Sequence, residues 1–144
     1  ASPRRKELLR KTGISFEIMP SSKEEVITEE LPADVVTELA YQKAADIFSL
    51  YHKIHDEDFT VIGADTVVSY KDEILGKPAD KQEALDMLSM LADRTHQVYT
   101  GVSLLIWKNG RKIIRTFYEK TEVRTKSVAY SCFNGICPVV CAKG

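Results

Sequence analysis

"VIGADTVV", residues 61–68, sets a carboxylate and a hydroxyl into an otherwise apolar run. Its alternating sets, Val61/Gly63/Val67 and Ile62/Ala64/Val68, are all small or apolar, so the stretch reads as a central strand covered on both faces. Aspartate suits such a strand poorly. It is depleted in strands, and desolvating it without a partner costs several kcal/mol. Either the strand opens into a cleft at Asp65, or a cation or donor stands opposite it.

Downstream, "KDEILGKPAD" (71–80) reads as a short return strand and a turn, with Gly76 and Pro78 holding Lys77 on a stiff loop. Asp80 with Glu83 makes a capping-box start for a helix through about Ala92, with Ala84, Leu85, Leu88 and Leu91 as its apolar side. "HQVYTGVSLLIWK" (96–108) and "RKIIRTFYEKTEV" (111–123) then form a long hairpin across Asn109-Gly110.

Upstream, Pro32 begins a helix running to about His52, with Val36, Ala40, Lys43, Ala44, Ile47 and Leu50 on one stripe. Lys43 is the odd member, and it either projects from the packing face or snorkels to water. "SSKEEVITEE" (21–30) reads as a polar loop and "ISFEIMP" (14–20) as a weakly alternating strand. The opening segment is a helix capped by Ser2, with Pro3 at its first position, Leu8 and Leu9 apolar, and Gly13 closing it. Arg4 and Arg5 fall in its first turn, where the helix dipole disfavours cations unless an external anion shares the place. The order of elements argues an α/β domain around a mixed sheet.

The chain has 144 residues, 44% of them hydrophobic and 28% charged, with a net charge of −1. Those values fit one domain with one core and give no global field that would recruit a nucleic acid polymer or an anionic membrane. No apolar run approaches ~20 residues and no basic-then-apolar leader is visible, so a cytoplasmic chain without a membrane span is expected. Cys132, Cys137 and Cys141 crowd the last thirteen residues at a spacing that matches no standard zinc pair, and read as incidental or buried thiols. His52-Lys-Ile-His55 reads as a solvated helix end, since no third metal ligand is in view. Neither a P-loop nor a dinucleotide fingerprint is present: the Gly76-Lys77 pair is followed by proline.

What is left is a set of charges at constrained positions: Arg4, Arg5, Lys43, Lys77 and Asp65. Guanidinium forks and free helix N–H groups match phosphate oxygens, and a carboxylate beside them calls for a divalent cation to offset its repulsion. A salt bridge from Asp65 to Lys43 inside the core explains that pair equally well on the residues alone.

The ordered set "SPRRKELL" (2–9), "EE" (24–25), "QKA" (42–44), "IGADTVV" (62–68), "GKP" (76–78), "RTHQVYTGV" (94–102) and "FYEKTEV" (117–123) resembles the Maf family of nucleoside triphosphate pyrophosphatases. The likeness covers residues 2–125. The first strand of the family pattern is missing before Ser2, its second lobe is not recognisable, and 126–144 reads as an atypical C-terminal segment. Asp93 stands where the family usually has glycine, so the turn before Arg94 is expected to differ.

The resemblance implies an elongated mixed sheet flanked by helices, similar to the inosine triphosphate pyrophosphatases. It further implies metal-dependent hydrolysis of dTTP, UTP or modified pyrimidine nucleotides to monophosphate and pyrophosphate. Carried onto this chain, it puts Ser2, Arg4, Arg5 and Thr66 on the substrate, and Lys43 and Lys77 in the cationic shell with Asp65 as catalytic groups. Asp65 would position or deprotonate the attacking water, and Glu25 with Asp65 would hold Mg2+ or Mn2+. A homodimer is compatible and left open. Two other classes of answer stand beside this one: a catalytically silent nucleotide-binding module, and a zinc-binding interaction domain using the cysteines.

Overall fold

The structure, a computed structural model, describes residues 2–126. Seven elements follow one another: α1 (Pro3–Lys11), α2 (Pro32–Tyr51), β1 (Phe59–Tyr70), β2 (Glu73–Leu75), α3 (Lys81–Leu91), β3 (Thr95–Lys108) and β4 (Arg111–Arg124). The cysteines and the rest of 127–144 lie outside the described residues.

The strands form one sheet in the order β2-β1-β3-β4. Every pairing among the described residues is antiparallel, so the expected α/β class stands while the parallel part of a mixed sheet does not occur among them. Tight turns explain this. Lys71 and Asp72 (φ 52° and 66°) and Asn109 and Gly110 (φ 50° and 70°) take the left-handed dihedrals that fold a strand back on its neighbour.

α2 lies across one face of β1 and β3, and two glycines set how close it comes. A Cβ at Gly63 would stand 2.2 Å from the Ala40 carbonyl oxygen, and one at Gly101 would stand 2.2 Å from that of Val36. The helix backbone therefore rests almost on the sheet. Ala44, Phe48 and Leu105 form the dry centre, with Phe59, Val61 and Trp107 packed against them. Of the predicted α2 stripe, Val36, Ala40, Ala44 and Ile47 are buried, but Leu50 is 47% exposed because Val35, Leu39 and Phe48 take the inner positions instead.

Several readings change. β1 is covered on one face only among the described residues: Val61, Gly63 and Asp65 face α2, while Ile62 on the other side is 50% exposed. Residues 14–20 form no strand. Their weak alternation has no ladder partner to pair with, and Ile14, Ile18 and Met19 stay exposed. His52 is no solvated end but packs at a tilt against Trp107, 4.2 Å between centroids, and His55 stacks on Tyr51 at 3.9 Å. Asp93 adopts φ 54°, so the turn keeps the left-handed residue that glycine would supply. No described helix is long and apolar enough to cross a membrane.

Candidate functional site

Lys43 faces the sheet from the middle of α2, where the glycine contacts bring that helix down beside Asp65. Its ammonium bonds Asp65 Oδ1 and, at 3.0 Å, Glu25 Oε1. Asp65 is 16% exposed and Lys43 28%, whereas Glu25 is half open to solvent. Burial works to lower the Lys43 pKa, but hydrogen bonds and charge from Asp65 and then Glu25 outweigh it and hold the amine above its ordinary value. The lysine is cationic throughout the physiological range.

Arg5 reaches β1 from the first turn of α1. Its Nη1 donates to the Ala64 carbonyl at 2.8 Å and its Nη2 to Thr66 Oγ1 at 2.8 Å, so the guanidinium grips the residues on either side of Asp65. Among the described residues no further hydrogen bond engages the other N–H groups of its fork. Thr66 Oγ1 also lies 3.0 Å from Thr100 Oγ1 on β3. Ser2 caps α1 by accepting from the Arg5 N–H at 3.4 Å, and the first turn carries no acidic residue. A helix start, a guanidinium, an ammonium and two carboxylates thus meet around residues 64–66 of β1.

Two predicted members are not brought in by contact. Arg4 bonds Glu7 at 3.0 Å on the exposed side of α1. Lys77 is exposed on its turn, and no hydrogen bond or ion pair among the described residues ties it to Lys43, Asp65 or Arg5.

Sequence reasoning missed what places Glu25. Glu38, Gln42 and Asp46 recur every four residues along α2 and string the preceding loop against the helix. Glu38 accepts from Thr28, Gln42 accepts from the Val26 N–H and donates to the Val26 carbonyl, and Asp46 accepts from the Ser21 hydroxyl and the Ser22 N–H. The Thr28 hydroxyl and N–H hold the Glu38 carboxyl below its ordinary range, and the Ser21 hydroxyl does the same for Asp46. The signal was legible as a polar row at helical spacing facing a polar loop.

A divalent cation fits the donors present. Glu25 and Asp65 both reach a single ammonium, so their oxygens converge, and Mg2+ commonly takes one or two carboxylates plus phosphate oxygens. Among the described residues no group of three or more His, Cys, Asp or Glu gathers.

Known proteins are similar to this chain over most of its length. A dTTP/UTP pyrophosphatase of Agathobacter rectalis is 52% identical over 132 residues, covering 85% of this chain and 64% of that protein. Proteins of the same description from Bacillus anthracis and Lachnoclostridium phytofermentans are 46% and 43% identical over 123 residues, each covering 85% of this chain and 60% of its relative. The chain therefore spans about three fifths of the length of these relatives. The sequence profile of the family described as Maf-like protein matches residues 1–134, and the chain belongs to that family.

Proposed function

We propose that this chain carries the phosphate-gripping residues of a nucleoside triphosphate pyrophosphatase that splits dTTP or UTP into the monophosphate and pyrophosphate. The observation that carries this reading is the convergence on β1: Arg5 bonded to the residues flanking Asp65, and Lys43 shared by Asp65 and Glu25. The description of the relatives as dTTP/UTP pyrophosphatases supports the choice of pyrimidine triphosphates.

In this scheme the triphosphate lies over the start of α1, its oxygens accepting from the free Arg5 donors and first-turn N–H groups. Asp65 accepts a hydrogen bond from a water and aligns its lone pair with the α-phosphorus. The water oxygen bonds to phosphorus as the α–β bridging bond breaks, the electron pair leaves with pyrophosphate, and the water's proton passes to the carboxylate side. Lys43 fixes the Asp65 carboxylate and offsets the charge gathering on phosphate oxygens, with Lys77 approaching from its turn once nucleotide is bound. Glu25 and Asp65 would hold Mg2+ or Mn2+, which would supply further charge neutralisation.

Incubating the chain with UTP or dTTP and Mg2+ tests this directly. Equal release of pyrophosphate and monophosphate is expected. Orthophosphate release would contradict the proposed bond cleavage, and tight nucleotide binding without turnover would instead favour a silent binding module.

A further inference from the structure

A guanidinium can only donate, so the Thr66 hydroxyl oxygen that meets Arg5 Nη2 at 2.8 Å must present a lone pair to it. The hydroxyl hydrogen of Thr66 then has to turn away from the cation. Thr100 Oγ1 lies 3.0 Å off and is, besides Arg5, the one group among the described residues that bonds this hydroxyl. When the Thr66 hydrogen points at Thr100, its lone pair faces Arg5; when it swings back, the Arg5 contact is lost.

The two threonines are directly opposed in the β1–β3 ladder, next to the Asp65–Gly101 pair. Side chains so placed have their Cβ atoms about 5 Å apart, close enough for two short hydroxyls to meet. The position of Thr100 is set from the other face of the sheet, because its neighbour Gly101 lies so close under Val36 of α2 that no Cβ fits there. Arg5 has a second anchor, the Ala64 carbonyl, but that oxygen belongs to the backbone and cannot turn. Thr66 is the adjustable one. A planar fork keeps one orientation only if both of its acceptors do.

We propose that Thr100 is a positioning residue for triphosphate binding. Its hydroxyl accepts from Thr66, which fixes the Thr66 lone pair on Arg5 and holds the guanidinium in the plane that serves the phosphates. Thr100 acts through Thr66 and not on the nucleotide. The proposal rests on the reading of Arg5 as a phosphate ligand.

The test uses the full 144-residue chain. T100V keeps shape and suits a strand but lacks the hydroxyl, T100A removes it in a second way, T100S keeps it, and R5A removes the group being positioned. Circular dichroism establishes folding. Nitrogen NMR of the ligand-free chain reads Arg5 itself: its guanidinium is expected to rotate slowly in wild type and T100S, and freely in T100V and T100A. Binding of α,β-methylene UTP with Mg2+, and kinetics on UTP, read the consequence. Loss of the hydroxyl is expected to weaken analogue binding and raise KM about fivefold, the scale of one hydrogen bond, with kcat unchanged. T100S should stay close to wild type, and T100V added to R5A should cost nothing further. Folded T100V or T100A with wild-type affinity and a slowly rotating Arg5 would overturn the proposal. So would T100S as weak as T100V, or a T100V loss that persists undiminished in R5A. An R5A chain that binds the analogue as tightly as wild type would instead overturn the phosphate role of Arg5, a result distinct from the others.

Discussion

Lys43 and Asp65 were readable as an anomaly before they were readable as a pair. A carboxylate in an apolar strand and an amine on an apolar helical stripe each demand a partner, and the structure supplies them to one another. Glu25 gave no such signal: in a polar loop any acid looks solvated, and only the family motif singled it out. Lys77 shows the reverse limit, since a stiff turn can be recognised from Gly76 and Pro78 although nothing in the sequence says where it points. Replacing Asp65 with Asn keeps shape and drops charge, and turnover on UTP is expected to fall at least ~100-fold with little change in nucleotide affinity. Steady-state kinetics and equilibrium binding on the same preparation separate the two effects; an unchanged rate removes Asp65 from the chemistry. The raised pKa of Lys43 has its own consequence for stability. Its contribution is fully present below the ordinary value of 10.5 and is lost only as pH climbs through the higher folded value, so melting temperature should show no lysine-linked step between neutral pH and 10.5.

α2 is the element that turns separate residues into a site. Its apolar stripe was legible from periodicity, but its close approach to the sheet depends on Gly63 and Gly101, which in a strand read only as weak points. Gly101→Ala is expected to destabilise the chain by about 2 kcal/mol, because the added carbon meets helix backbone that cannot swing aside. Gly76→Ala, with nothing within 4 Å of the new carbon, should leave the denaturation midpoint almost where it was. Equal midpoints for the two variants would refute the close-packing account. The polar row of Glu38, Gln42 and Asp46 makes a second, acid-sensitive claim. Both acids have lowered folded pKa values, so their grip on the loop is present above their ordinary values of 4.5 and 3.8 and is lost as pH falls through the folded ones. Amide protection at Ser22 and Thr28, whose N–H groups donate to these carboxylates, should collapse in that acid range while β1 and β3 stay protected. Protection that survives acid would mean the loop is held by something else.

For the molecule as a whole, the α/β class, the Asn109-Gly110 hairpin and the boundaries of α2 and α3 followed closely from turn chemistry, capping and period. The strand at 14–20 and, among the described residues, the second covered face of β1 did not, because both depend on partners that a local pattern cannot supply. What the fold accomplishes is the gathering of α1, the 21–29 loop and α2 onto the Asp65 segment of β1, and the proposed function takes these cations and acids to act together on one polyphosphate. The most direct test of that claim is turnover of dTTP in water labelled with heavy oxygen, followed by mass spectrometry of both products. The account predicts label in the monophosphate, because water bonds to the α-phosphorus; label in pyrophosphate, or no turnover by a folded chain, would contradict it.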